Sequence, residues 1–327
     1  MKVILPVAGK GTRLLPLTKE TPKPLVRVAG RPVLDYVVDG LSDLDVEELI
    51  FITGHLKDAI EAYVKESYDV PARFVEQRVQ DGTAGAVNLA RPYVAGPVMI
   101  IFVDTLFDAD LSLVRRVDAD GIIWAKHVED YQRFGVIVTD EKGYMQRIVE
   151  KPERPISKLA NIGLYYVRDW QTLFAGIAET LAGPQTKGEW FLTEAFQYMI
   201  DNGRRLYTAE VEGWYDCGKV ETLLDTNAHL LATGRSRAPR ASTGVTVVDP
   251  VHVAEGVQLE DCTIGPNVSI DSGSTVTSST LRHCIVGRAC RVERSVMEHC
   301  LVGDSAEVSD SRHEWMVVTR NEQGKAP

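Results

Sequence analysis

The stretch Leu5–Leu25 gathers side chains that can handle phosphate. A short apolar strand, Val3–Val7, runs into a loop holding Gly9, Gly11, Thr12, Arg13, Lys19 and Lys23. Residues 1–31 carry seven Lys/Arg against a single acid, Glu20, in a chain whose formal net charge is −10. A basic, glycine-bearing loop behind a first strand suits a polyphosphate. Backbone N–H groups approach oxygens where no Cβ intervenes, and Arg or Lys neutralises the charge. Glycines alone indicate only a tight turn. Leu14 stands where a dinucleotide fingerprint needs its third glycine, and no Gly-Lys-Ser/Thr of a P-loop follows.

Further along, Asp104 follows the apolar run Val98–Val103. A carboxylate there either faces a ligand crevice and holds a divalent cation, or starts a turn before 111–117. Gln77 precedes the glycine-bearing run Asp81-Gly82-Thr83-Ala84-Gly85. Its carboxamide both donates and accepts, so it matches the O4 and N3–H edge of a pyrimidine; an exposed Gln before a turn is the competing reading. Asp216 sits in Trp214-Tyr215-Asp216-Cys217-Gly218, after another apolar run.

The elements that must position these residues alternate along the first half. Strands are expected at 3–7, 49–53, 73–76 and 98–103. Helical spacing of apolar residues marks 33–41, 55–67 and 83–91. That alternation predicts an α/β, Rossmann-like domain with a mostly parallel mixed sheet, whose ligands lie beyond the carboxyl ends of the strands. Strands dominate 122–167, followed by a helix opening at Leu192, a strand over 205–211 and a helix over 221–231.

The chain then changes character. After a small, basic linker at 234–242, Val245, Val251 and Val257 recur every six residues, as do Ile264, Ile270 and Val276. Ile264-Gly265, Val286-Gly287 and Val302-Gly303 open further units. A six-residue aliphatic period signals a parallel β-helix, here a short left-handed hexapeptide-repeat type of about three or four coils. Two domains are therefore expected, 1–238 and 239–327, with Trp315–Val318 capping the last coil or an oligomer contact.

Bulk properties exclude several classes. At 327 residues, 44% hydrophobic and 25% charged, the chain reads as an ordinary globular protein. Its acidic balance and lack of a basic tail argue against nucleic acid. No apolar run approaches a membrane span and no signal-like segment opens the chain, so a cytoplasmic protein without membrane partners is expected. Five cysteines, an odd number without a C-x-x-C pair, predict neither a disulfide framework nor a zinc site.

The full spacing Gly-x-Gly-Thr-Arg-x-x-Pro-x-Thr, then Pro22-Lys23-Pro24, resembles the signature of the sugar-1-phosphate nucleotidyltransferases. With the β-helix, the whole chain resembles the long-form glucose-1-phosphate thymidylyltransferases; Leu-Pro-x-Thr-Lys also resembles the UTP–glucose-1-phosphate uridylyltransferases. The resemblance implies a transferase joining a nucleoside triphosphate to a sugar 1-phosphate with Mg²⁺. Ala8, Gly9, Gly11, Thr12, Gln77, Gly82 and Thr83 would hold the nucleotide. Arg13 and Lys23 would neutralise the triphosphate, and Asp104 and Asp216 would hold the metal. Gly135, Glu150, Lys151, Asn161, Gly163, Lys187 and Trp214 would form the sugar-phosphate half. The family usually has Gly where Val103 stands, so Val103 is expected to narrow a pocket. A homo-oligomer, dimer or tetramer, is expected. Mannose-1-phosphate guanylyltransferases share the plan, though Gln77 argues against a purine. A non-catalytic relative would have lost the charges, and a β-helix acyltransferase would need His252, His283 or His299 as base.

Overall fold

The computed structural model describes residues 1–239 and 244–325. The described chain packs as two compact units, one formed by 1–9 and 37–214, the other by 10–36 and 215 onward. The expected division at 238/239 follows the covalent order of the chain, and part of the expected linker lies outside the described residues. Packing groups the chain differently, because 10–36 and 215–239 join the β-helix rather than the sheet.

The first unit is built on a nine-stranded mixed, Rossmann-like sheet: β1 (Lys2–Pro6), β2 (Glu48–Thr53), β3 (Ala72–Glu76), β4 (Val98–Ile101), β5 (Gly121–His127), β6 (Gly135–Thr139), β7 (Met145–Glu150), β8 (Leu159–Val167) and β9 (Leu206–Glu210). The first four strands are parallel in spatial order 3-2-1-4, with Val3 opposite Leu49 and Met99. β8 then runs antiparallel to β4, β5 and β6 and carries the chain to the far half of the sheet. Near-continuous apolar strands such as Leu49–Ile52 follow from burial on both faces. Ile4, Ile50, Ile100 and Ile123 are fully buried, each contributing about 1.5–3 kcal/mol.

One helix has no counterpart in the sequence-based expectations, Trp170–Ala182, whose Asp169 accepts from the Thr172 N–H. Gly176 interrupts its apolar pattern for a packing reason: a Cβ there would lie 2.9 Å from the Ala195 carbonyl of helix Leu192–Asp201.

In the second unit the β-helix is a stack of three parallel sheets. Thr246 pairs with Thr263 and Thr263 with Thr280, 17 residues apart; Thr280 pairs with Val296 and Val296 with Arg312, 16 apart. A strict hexapeptide coil of three sides would need 18, so the corners are shortened; the Ile/Val-Gly pairs are unevenly spaced because Ile264 lies in a different sheet from Val286 and Val302. Five rungs in one sheet extend the stack slightly beyond the three or four coils expected. Ile264, Val276, Leu281, Val292 and Met297 fill its interior. Met316–Val318 is itself a rung, closed by an antiparallel strand at 323–325. All five cysteines are buried and none is in a disulfide.

Candidate functional site

In the second unit the basic, glycine-bearing loop is a run of short 3-10 turns, Thr12–Leu14, Leu17–Lys19 and Lys23–Leu25. Gly11 starts it with φ +62°, and a Cβ there would meet Thr18 Cγ2 at 2.8 Å. Thr18 donates from Oγ1 to the Gly11 carbonyl at 2.8 Å, closing the loop on itself. Leu14 is fully buried, so Thr12 and Arg13 face outward. Asp216 Oδ1 accepts the Gly218 N–H at 2.7 Å. A Cβ on Gly218 would lie 2.8 Å from Arg13 Nη2, 2.8 Å from Asp216 Oδ1 and 3.3 Å from Lys23 Nζ. A guanidinium, an ammonium and a carboxylate thus converge on one glycine. Two cations beside one carboxylate make a local field that suits phosphate oxygens.

In the first unit, Gly9 has open space where a Cβ would go, and Ala8 is buried. Ala8 is braced by Gly54, whose Cβ would sit 2.9 Å from it, and its carbonyl accepts from Gln80 Nε2 at 2.8 Å. Gln77 is buried, not exposed. Its Nε2 donates to Asp81 Oδ1 at 2.9 Å and approaches the Gly82 carbonyl at 3.4 Å. Its amide hydrogens are therefore spent inside the loop, which leaves only its carbonyl oxygen for a base. Packing requires glycine at position 82, since a Cβ on Gly82 would fall 2.4 Å from the Trp190 carbonyl. Thr83 Oγ1 accepts the Leu192 N–H at 2.9 Å.

A second constellation lies where β6, β7 and β8 meet. Glu150 pairs in register with Gly135. Asn161 Nδ2 donates to the Gly135 carbonyl at 2.8 Å, and Tyr165 donates to Asn161 Oδ1. Thr193 donates to Glu150 Oε2 at 3.1 Å. A Cβ on Gly135 would sit 2.3 Å from Asn161 Nδ2 and 2.8 Å from Glu150 Oε2, so only glycine leaves this cradle open. Burial raises the Glu150 carboxyl above the usual range, partly offset by the Lys151 charge and the Thr193 hydrogen bond. Lys151 has φ +44°; its Nζ lies 3.8 Å from Glu150 Oε1 and 4.4 Å from the centre of the Phe191 ring. Lys187 donates from Nζ to the Lys151 carbonyl at 2.9 Å. Trp214 packs edge-on against Phe134 at 5.2 Å, next to Gly135. Gly163, at φ +81°, accepts the Phe102 N–H through its carbonyl at 2.9 Å.

Asp104 is half-buried beyond β4 in the first unit, whereas Asp216 belongs to the second. Val103 is 3% exposed, so its side chain is buried. Among the described residues no group of three or more His, Cys, Asp or Glu could hold a metal by itself. The Asp104 and Asp216 carboxylates are each a hard oxygen donor of the kind that suits magnesium.

Sequence reasoning did not single out Gly218, Thr193, Tyr165, Gln80 or Phe191. Asp-x-Gly after a strand was a visible signal for Gly218. The others act through tertiary contacts that have no local pattern.

A family model described as "Nucleotidyl transferase" matches residues 2–233. The bifunctional protein GlmU of Methanococcus aeolicus is 33% identical over 262 residues, covering 80% of this chain and 62% of that protein. The chain thus spans less than two thirds of that relative's length. The UTP–glucose-1-phosphate uridylyltransferase AglF of Haloferax volcanii is 33% identical over 65% of this chain and 89% of its own. A glucose-1-phosphate thymidylyltransferase of Streptomyces antibioticus is 29% identical over 88% of this chain and 87% of its own. A solved UDP-glucose pyrophosphorylase complexed with UDP-glucose superposes with a TM-score of 0.63 and 26% identity, covering 71% of this chain and 98% of its own. No helix among the described residues is long and apolar enough to cross a membrane.

Proposed function

Because the chain belongs to the nucleotidyl transferase family, we propose that it transfers a nucleoside monophosphate from a nucleoside triphosphate to a sugar 1-phosphate, releasing pyrophosphate. The observation that carries this reading is the convergence of Arg13, Lys23 and Asp216 on Gly218. The favoured substrates are dTTP or UTP and glucose 1-phosphate, supported by what the uridylyltransferase, thymidylyltransferase and pyrophosphorylase relatives are named for.

In this mechanism the sugar-1-phosphate oxygen attacks the α-phosphorus in line and pyrophosphate leaves. Positioning and charge neutralisation supply most of the catalysis. Arg13 and Lys23 hold the triphosphate and stabilise the leaving pyrophosphate. Lys151 orients the attacking phosphate, its ammonium placed by Phe191 and Glu150. Glu150, Asn161 and the open face of Gly135 accept the sugar, with Lys187, Gly163 and Trp214 shaping the same half. Ala8, Gly9, Gly11, Thr12, Gln77, Gly82 and Thr83 form the nucleotide half, with the Gln77 carbonyl accepting a pyrimidine N3–H. A magnesium ion on Asp104 and Asp216 would neutralise phosphate charge when bound.

The acyl-transfer alternative gains nothing from its candidate bases. His283 and His299 stack face to face at 4.8 Å, and His299 stacks on Trp315 at 4.4 Å. His252 packs over Gly30, where a Cβ would sit 2.1 Å from its Nε2. A cytoplasmic setting is part of the same proposal and is supported by five cysteines that form no disulfide. The homo-oligomer is a further part, read by light scattering. The deciding experiment measures pyrophosphate release for four nucleotides against several hexose 1-phosphates. Release with dTTP or UTP and glucose 1-phosphate is expected. No release with any pair, alongside acetyl transfer to an amino-sugar phosphate, would overturn the reading.

A further inference from the structure

The second unit does more than append a β-helix to the phosphate loop. Ala29 and Gly30 join the short strands Arg27–Val28 and Arg31–Pro32 in a two-residue turn with both φ angles positive, +45° and +80°. That is a type I′ geometry, which Gly tolerates and Ala adopts at a cost. One buried side chain holds the turn. Asn227, fully buried on helix Val220–Leu230, accepts the Ala29 N–H at 2.9 Å and the Ser269 hydroxyl at 2.6 Å through Oδ1. Its Nδ2 donates to the Asn267 carbonyl at 3.1 Å. Ser269 and Asn267 belong to a β-helix coil, and Asp271 of the same coil, 6% exposed, forms an ion pair with Arg27. Arg27 also donates to the Gly30 carbonyl at 2.5 Å.

The middle of the loop, residues 16–20, meets the C-terminal coils of the β-helix. Lys19 forms an ion pair with Glu322, and Asn321 Nδ2 donates to Glu20 Oε1 at 2.7 Å. A Cβ on Gly303 would lie 3.1 Å from Leu17, and one on Gly324 3.2 Å from Pro16. The segment bearing Arg13 and Lys23 is therefore held against the β-helix at 16–20, between the two residues, and at 27–30, just beyond Lys23.

We propose that Asn227 is a positioning residue, which locks the Ala29–Gly30 turn to the β-helix and makes the β-helix the brace that holds Arg13 and Lys23 in place for the nucleotide. This rests on the reading of those two residues as triphosphate ligands. A buried carboxamide held by three hydrogen bonds fixes geometry strictly, because each partner it loses is left unpaired away from water. The interfaces at 16–20 and 27–30 give the β-helix a role in catalysis without any catalytic group of its own.

The test uses the full chain with Asn227→Ala, Ser269→Ala, Asp271→Asn and Arg13→Ala. Hydrogen exchange over residues 10–30 and separate KM values for nucleotide and sugar 1-phosphate are measured at a temperature where each variant is folded. Asn227→Ala is expected to speed exchange in 10–30 and to lower kcat/KM for the nucleotide roughly 10–100-fold, with the sugar-phosphate KM within about twofold. The Asn227→Ala/Arg13→Ala double variant should then lose less than the product of the single losses, since both act through one loop. Unchanged exchange in 10–30, or equal rises in both KM values, overturns the proposal. A lowered melting temperature with unchanged kinetics does so too, provided Arg13→Ala is impaired. Should Asn227→Ala not fold, Ser269→Ala and Asp271→Asn must show the same nucleotide-selective loss, and its absence in both is equally fatal. Wild-type kinetics in Arg13→Ala, with faster exchange in Asn227→Ala, would instead place the fault in the reading of Arg13.

Discussion

Gly218→Ala isolates the phosphate site more cleanly than removal of any charge. The backbone at Gly218 lies outside the left-handed region, so alanine is conformationally allowed there. Its methyl group would sit 2.8 Å from Arg13 Nη2 and from Asp216 Oδ1, where ordinary contact begins at 3.4 Å, and 3.3 Å from Lys23 Nζ. The guanidinium and the carboxylate must each retreat by about 0.6 Å, and the ammonium hardly at all. Both displaced atoms are the ends of side chains, which rotate away without disturbing the core. The loss of unfolded-chain freedom from Gly to Ala offsets part of the strain, by about 0.4–1 kcal/mol. Stability should therefore stay within about 1 kcal/mol of wild type. Catalysis should not. A misplacement of ~1 Å can cost on the order of 100-fold, so a shift of about half that is expected to lower kcat/KM roughly tenfold. Pyrophosphate release gives the rate, and a thermal melt gives the stability. Wild-type kcat/KM in Gly218→Ala would refute the convergence as a catalytic arrangement. So would a loss that tracks the unfolded fraction alone.

Arg13→Ala should cost roughly 10²–10³ in rate with little change in melting temperature, because the side chain is exposed and the proposed mechanism uses its charge in the transition state; near-normal turnover would remove it from the mechanism. Glu150 is raised by burial, so the native protein holds its proton more tightly than the unfolded chain does. The stability tied to that proton is complete below the ordinary glutamate range and is lost as pH rises through the raised native value. Glu150→Gln is accordingly expected to melt higher than wild type at pH 7, with the gap closing toward pH 4, while its sugar-phosphate KM rises; a lower melting temperature at pH 7 would contradict this. All five cysteines are buried, and burial pushes the Cys290 thiol up to about 11. Ellman's reagent should react with none of them on mixing and with all five in guanidinium, and prompt reaction of several in the native protein would show that the β-helix interior is open.

The sheet and the β-helix were legible in the sequence because both bury residues with a regular period. Leu49–Thr53 and Val98–Val103 read as buried strands from their apolar runs, and the aliphatic six-residue repeat marked the coils. Helix Trp170–Ala182 was hidden by Gly176, whose packing against Ala195 breaks the pattern a helix reading needs. The coil length of 16 or 17 could not be read either, since shortened corners leave the strand periodicity intact while shifting its phase.

What the sequence determined by itself was chemical inventory: which residue types could meet phosphate, metal or sugar, and the order in which strands and helices present them. Those properties are local, set by side-chain chemistry and by periods of two, six and 3.6 residues. Tertiary structure alone decided which of these residues share a place. Asp216 is about 190 to 200 residues along the chain from Arg13 and Lys23, yet all three meet around Gly218. Gln77 carries the right amide for a pyrimidine, yet Asp81 takes its donor. Asn227 looks like any polar residue on an amphipathic helix until burial makes its three hydrogen bonds obligatory. Close approach and desolvation arise only when distant segments pack, and no spacing along the chain encodes them.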